Sequence, residues 1–337
     1  MFNILVVDDS QAVRESLKKT LFELDEVSDI YLASCAKDAY HIIENKPIDI
    51  VLMDYYMPEI NGLEASRKIY SQKRIPIILV TSADKEIVLK IFNSMENYCI
   101  DYLLKSDDLD SPEFKNTLKE KILMIKGLNK KVQNAFINKD ILIPDKIQKH
   151  ENISQGDNVN IFVISAGGPK ILKHLLMLIE PALSPIILVQ HIESNIFEYF
   201  YNFLQNNSSK SIKQVYNNQP FTNTNQIFVL NPDYITTLKL NSHIYFSTTL
   251  GKSIYSPPAD PIIKAAAEIF KEKLNLFVFT GMAHDAVEGA KYVKLYGGKI
   301  YCQHPDEAFI STMIKKVDET VGCDDFFYLN SILEYII

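Results

Sequence analysis

The chain has 337 residues, 47% of them hydrophobic and 23% charged, with a formal net charge of −7. That is enough apolar material for two cores of ordinary size. No basic block exceeds a few residues, which argues against a nucleic-acid partner. No apolar run approaches the roughly 18 residues that a membrane-spanning helix takes, so no membrane insertion is expected. Asp8 and Asp9 interrupt the first apolar run, so it does not read as a secretory signal. The four cysteines, Cys35, Cys99, Cys302 and Cys323, have no paired spacing. They are expected to be buried, reduced thiols of a cytoplasmic protein.

In chain order, a strand is predicted over 4–7, ending at Asp8 and Asp9. Val13, Leu17, Leu21 and Leu24 then recur at roughly helical spacing. Apolar runs at 48–53, 75–80 and 102–104 end at Asp54, Thr81 and Lys105, with helical patterns between them. This alternation predicts a parallel sheet with helices on both faces, whose carboxyl edge gathers those polar residues. Asp8, Asp9 and Asp54 together form a hard oxygen site suited to Mg²⁺, because carboxylates held that close repel unless a cation sits among them. An oxygen of Asp54 is suited to accept a phosphoryl group, with Lys105 pairing with the phosphoryl oxygens and Thr81 hydrogen-bonding to one of them. Taken singly, each residue has a plainer reading. An acidic pair after a strand usually caps a helix, and a lone loop lysine is usually solvated.

The joint arrangement is more specific. Ile4-Leu-Val-Val-Asp-Asp-Ser10, Asp49-Ile-Val-Leu-Met-Asp54, Met57-Pro58 with Gly62, Pro76-Ile-Ile-Leu-Val-Thr-Ser82 and Asp101-Tyr-Leu-Leu-Lys105 resemble the receiver domain of two-component response regulators, a flavodoxin-like α/β fold. The resemblance covers residues 1–125. It implies Asp54 as phosphoacceptor, Asp8, Asp9 and Asp54 as Mg²⁺ ligands with a backbone carbonyl from Tyr56, and Tyr102 as the aromatic that changes rotamer on activation. Ser106 departs from the family, which usually has proline after the lysine. Residues 126–157 mix lysine, asparagine and scattered isoleucine with Pro144 and Gly156 and read as an interdomain linker, with an apolar knot at 141–143.

The second domain is expected over 158–337. The run Val159-Asn-Ile-Phe-Val-Ile164 ends at Ser165, and Gly167, Gly168 and Pro169 follow, which reads as strand, tight turn and helix. Ile171, Leu172, Leu175, Leu176 and Ile179 form one helical face. Further strands are predicted at 185–190, 226–230, 244–246, 275–279 and 299–301, and a helix at 258–273. The pattern again suggests a doubly wound parallel sheet. Ser165, His191 and Asp285 each follow a predicted strand. They have the chemistry of a nucleophile, a general base and a carboxylate that orients the base. The N–H groups of the Gly-rich turn and of Met282 are candidates to receive an oxyanion. Singly, a serine before Gly-Gly is most often a turn residue, a lone histidine is structural, and Asp285 is a helix cap. Gly167-Gly168 fits neither GxGxxG nor a P-loop.

Ile164-Ser-Ala-Gly-Gly-Pro169, Val189-Gln190-His191 and Thr280-Gly281-Met282 with Asp285 resemble the catalytic domain of the chemotaxis protein-glutamate methylesterases, whose fold is Rossmann-like. Pro257-Pro258-Ala259-Asp260 falls where that family has a similar segment, and the order of receiver, linker and esterase also matches. The resemblance implies Ser165, His191 and Asp285 as the catalytic triad, Met282 as an oxyanion donor and no cofactor in the esterase domain. The implied reaction removes methyl groups from glutamyl side chains of methyl-accepting chemoreceptors, with deamidation of receptor glutamines as a second activity. It also implies a receiver that blocks the active site until the chemotaxis histidine kinase phosphorylates Asp54. Ala166 stands where the family has threonine, and Ala283 and Ala286 replace glycines. These alanines motivate an alternative: a receiver-controlled binding protein or phosphate sink with a weakened esterase. A DNA-binding response regulator is disfavoured because no basic helix-turn-helix pattern follows the receiver.

Overall fold

The computed structural model describes residues 1–82, 99–106, 108–126, 158–251 and 253–336. The chain forms two compact units, Met1–Gly127 and Leu128–Ile337. Apart from Lys126, the expected linker and its apolar knot lie outside the described residues.

In the first unit, β1 (Phe2–Val7), α1 (Gln11–Leu21), β2 (Val27–Ala33), α2 (Ala36–Asn45), β3 (Ile50–Asp54), α3 (Gly62–Lys73), β4 (Ile77–Thr81), β5 (Asp101–Leu104) and α4 (Pro112–Lys126) follow one another. The strands are parallel and ordered β2-β1-β3-β4-β5, the flavodoxin-like arrangement. β3 and β4 are buried along their whole length, as expected where helices cover both faces of a parallel sheet. The chain leaves β1 in one direction to form β2 and returns on the other side for β3. Asp8 and Asp54 therefore flank the point where the strand order reverses. β2 was not anticipated from sequence: it is an edge strand in which Ser28 and Asp29 stay exposed, so its apolar signal is weak.

In the second unit, β6 (Val159–Ile164), α5 (Gly168–Leu178), β7 (Ile186–Gln190), α6 (Phe197–Asn206), β8 (Ser211–Gln214), β9 (Gln226–Val229), β10 (Tyr234–Leu240), β11 (Ile244–Leu250), α7 (Ala259–Phe270), β12 (Leu274–Val278), α8 (Val287–Leu295), β13 (Lys299–Gln303), α9 (Thr312–Thr320) and β14 (Asp325–Phe327) follow in turn. Seven of these strands form one parallel sheet, ordered β14-β13-β12-β6-β7-β9-β8. The chain enters at the centre on β6, builds outward through β7, then crosses back to lay β12 on the other flank of β6. The topological switch lies between β6 and β12, where ligands bind in such sheets.

The apolar face predicted on α5 is buried: Ile171, Leu172, Leu175, Leu176 and Ile179 are all nearly inaccessible. Phe162, Phe277, Phe279 and Phe327 pack at ring-centroid distances of 5.0–5.7 Å, and each buried ring is worth about 1.5–3 kcal/mol. β10 and β11 form a separate antiparallel hairpin that buries Leu238 and Phe246. The sequence signal covered only the start of β11, because Thr248, Thr249 and Leu250 lie on a partly exposed ribbon. The helix expected to 273 ends at Phe270 and tightens into a 3₁₀ turn, Lys271–Lys273.

One expectation is overturned. Cys302 and Cys323 are joined in a disulfide with a Cα–Cα distance of 6.1 Å, while Cys35 and Cys99 are free. Parallel pairing of β13 with β14 aligns Cys302 with Phe326 and so brings Cys323 alongside. A separation of 21 residues carries no local signature of that pairing. Among the described residues, no helix is long and apolar enough to cross a membrane.

Candidate active site and acidic pocket

Ser165 follows β6 and opens the turn into α5. Gly167 takes φ +81°, and a Cβ on Gly168 would lie 2.0 Å from Gln190 Oε1. The turn therefore requires glycine at both positions. The Ser165 N–H donates to Thr280 O at 3.0 Å. The Thr280 hydroxyl donates to Ala166 O at 3.0 Å and accepts from the Ile310 N–H at 2.9 Å. From the other side, Gln190 Nε2 donates to Ser165 O at 3.1 Å and to His191 O at 2.9 Å. One amide thus fastens the ends of β6 and β7 together. Across the switch point, Gly281 lies so close that a Cβ there would meet Ser165 Cβ at 2.6 Å.

His191 follows β7, with its N–H on Ile164 O at 3.0 Å. Its Nε2 lies 3.0 Å from Asp285 Oδ2, and its ring stacks on Tyr255 at 5.4 Å between centroids and 20° between planes. Asp285 also accepts from the N–H groups of Ala259 at 2.6 Å, Asp260 at 3.1 Å and Ala286 at 3.0 Å. Two of these donors belong to the first turn of α7, whose dipole favours a carboxylate there. Burial works to raise the Asp285 pKa. The His191 hydrogen bond and charge and the Ala259 and Ala286 N–H groups outweigh it, and the carboxyl sits below its ordinary range.

The expected chain from Ser165 through His191 to Asp285 is formed only in its second link. Among the described residues no hydrogen bond joins Ser165 Oγ to His191, and the buried imidazole Nδ1 has no partner. With Nε2 engaged by Asp285, Nδ1 is the nitrogen left to take a proton. Such links are often long in a free enzyme and tighten when substrate arrives. The Met282 N–H makes no hydrogen bond to protein among the described residues.

Of the two alanines that replace glycine, Ala283 has an ordinary backbone and Ala286 holds φ +78°. A left-handed alanine is strained by about 1 kcal/mol. Ala286→Gly is therefore expected to raise the stability of the second unit by about that amount, read as a higher denaturation midpoint with an unchanged m-value.

In the first unit, Lys105 Nζ lies 2.8 Å from both Asp8 Oδ2 and Asp54 Oδ1. Asp8, Asp9 and Asp54 each offer a carboxylate oxygen within 4.8 Å of the others. All donors in this set are hard oxygens, a fit for a divalent cation such as Mg²⁺. Burial pushes the Asp54 carboxyl up to about 6, aided by the Asp8 charge and opposed by Lys105 and the Tyr56 N–H. Thr81 is buried at the end of β4, and its hydroxyl donates to Ser82 O at 3.2 Å. Lys105 N donates to Thr81 O at 2.7 Å, so serine at 106 leaves the lysine in register with the strand edge. Tyr56 is exposed and Tyr102 is buried, with Lys121 Nζ 4.9 Å from the Tyr102 ring centre.

The CheB methylesterase family profile matches residues 161–336, more than half of the chain. The chain belongs to the CheB methylesterase family. The response regulator receiver domain matches residues 4–111, so this CheB-family chain joins a receiver to a methylesterase. It is similar over 332 residues, at 27% identity, to a protein-glutamate methylesterase/protein-glutamine glutaminase of Thermotoga maritima, covering 95% of this chain and 93% of the relative. A protein of the same description from Pyrococcus horikoshii is 26% identical, over 99% of this chain and 92% of its own. The crystal structure of the T. maritima CheB methylesterase catalytic domain aligns at 25% identity with a TM-score of 0.50, covering 55% of this chain and 98% of that one.

Three residues that pack on or bond to Ser165, His191 or Asp285 were not assigned roles from sequence. Gln190 and Asp260 lie inside quoted motifs, but glutamine after a strand carries no signal of which carbonyls it will hold. Tyr255 had no signal at all, because its stacking on His191 joins positions 64 residues apart.

Proposed function

We propose that this chain is a phosphorylation-activated serine esterase that hydrolyses glutamyl methyl esters on chemoreceptors. The observation that carries the reading is the charged Asp285 carboxylate 3.0 Å from His191 Nε2, on a strand end tied by Gln190 to that of Ser165. Ser165 Oγ attacks the ester carbonyl carbon as its proton passes to His191 Nδ1. Asp285 stabilises the imidazolium, and the Met282 N–H receives the oxyanion. When the intermediate collapses, the imidazolium gives its proton to the methoxide and methanol leaves. Water then attacks the acyl-enzyme with His191 again as base, which frees the glutamate and restores Ser165. A glutaminyl substrate follows the same path with ammonia as leaving group.

In the receiver, Asp54 accepts the phosphoryl group from a chemotaxis histidine kinase, and Lys105 and Thr81 turn from their present partners to its oxygens. Asp8, Asp9, Asp54 and the Tyr56 carbonyl would hold Mg²⁺, which when bound neutralises phosphoryl charge. Tyr102 reports the switch by its rotamer. The test is methanol release from methylated receptor membranes with and without acetyl phosphate: phosphodonor-stimulated release is expected. No release under either condition would overturn the reading in favour of a phosphate sink, which the strained Ala286 would suit.

A further inference from the structure

The two helices that begin beside the Asp285–His191 pair cap each other. Asp285 lies in the loop that leads into α8, yet its carboxylate takes the Ala259 and Asp260 N–H groups of α7. Asp260, in the first turn of α7, sends its carboxylate the other way and takes the Gly289 N–H in the first turn of α8 at 2.6 Å. The residue at the N-cap of α8 is Ala286, which has no side-chain acceptor and a left-handed backbone. Asp260 thus supplies the cap that the α8 sequence lacks. The helices are in close contact here: a Cβ on Gly289 would meet Ile263 Cβ of α7 at 2.6 Å.

We infer that Asp260 is a positioning residue for the esterase reaction, locking the start of α8 and with it the Asp285 carboxylate against His191. The inference rests on the reading of Asp285 as the carboxylate that orients the base. Without the Asp260 carboxylate, the Gly289 N–H in the first turn of α8 loses its acceptor, four residues after the one that must keep a 3.0 Å contact with His191 Nε2. Asp260 is itself partly buried, close enough to Asp285 for the Asp285 charge to act on it. Its carboxyl is held above the ordinary range by burial first, with the Asp285 and Glu288 charges adding and the Gly289 N–H and Lys264 opposing.

The test is steady-state methanol release by the full-length chain activated with acetyl phosphate, with thermal unfolding followed in parallel. Asp260→Ala is expected to lower kcat by about tenfold or more with KM within about twofold, the pattern of a group that acts through transition-state geometry. Asp260→Asn keeps an oxygen for the Gly289 N–H, so its kcat is expected to stay within about threefold of wild type. Its KM should also stay within about twofold, so that the conservative variant restores the turnover lost in Asp260→Ala. An Asp260→Ala chain that unfolds cooperatively and keeps wild-type kcat overturns the inference. So does an Asp260→Asn chain as slow as the alanine variant. If Asp260→Ala does not fold, Asp260→Ser replaces it, with the same unchanged-kcat result counting against. Asp285→Ala is run beside them: full activity there defeats the catalytic reading itself, whereas an inactive Asp285→Ala with a normal Asp260→Ala defeats only the positioning role.

Discussion

Ser165→Ala is expected to abolish methanol release, lowering kcat by about 10³-fold or more while the fold persists. On the proposed mechanism the loss is large because the Ser165 hydroxyl forms the acyl-enzyme. His191 and the N–H donors that remain offer orientation and charge stabilisation but no nucleophile. The fold should survive because what anchors Ser165 is its backbone. Its N–H is held by Thr280 O and its carbonyl by Gln190 Nε2, and an alanine Cβ occupies the space the serine Cβ already fills against Gly281. Far-ultraviolet circular dichroism and the unfolding midpoint should match wild type. A variant with undiminished turnover would remove Ser165 from the chemistry and leave a receiver with an unexplained output.

The second large effect concerns the receiver. Asp54→Asn should leave basal methanol release in place and remove its stimulation by acetyl phosphate, since asparagine offers no carboxylate oxygen to the phosphoryl group. Equal stimulation in wild type and variant would exclude Asp54 as the acceptor. The same substitution has a pH signature in Mg²⁺-free buffer. The folded-state pKa of Asp54 is raised from 3.8 to about 6 by burial and Asp8 against the pull of Lys105. A raised carboxyl contributes stability that is complete below the unfolded value and is lost as pH rises through the folded one. Wild type should therefore lose on the order of 1–2 kcal/mol relative to Asp54→Asn between pH 4 and 6, after allowance for the ion pair with Lys105. Asp285 has the opposite sign, since its pKa is lowered, but it is common to both proteins and cancels in the comparison. Denaturant midpoints of the two chains across that window measure the difference, and parallel curves would show that Asp54 is not strained by its surroundings.

Much of this was legible in the residues because buried parallel strands announce themselves. Ile50–Asp54, Ile77–Thr81 and Val159–Ile164 are continuous apolar runs that stop at a polar residue, and that stop marks the carboxyl edge where chemistry gathers. Where strands are short, on an edge or half exposed, as in β2, β8, β10 and β14, the same signal fades. Glycine at 167 and 168 was readable as a turn. That Gly168 must admit the Gln190 amide, and Gly281 must admit Ser165, was not.

The sequence by itself determined which groups exist and at which end of which strand they stand, because strand identity follows from local apolar periodicity and its termination. It therefore named Ser165, His191, Asp285, Asp8, Asp54 and Lys105. Tertiary structure alone decided who meets whom. Pairing of β6 with β12 across the switch point set Gly281 against Ser165. Strand-end convergence set His191 against Asp285, α7 and α8 exchanged caps through Asp285 and Asp260, and strand pairing joined Cys302 to Cys323 against expectation. Such contacts depend on three-dimensional register between segments tens of residues apart, and no local pattern encodes that register.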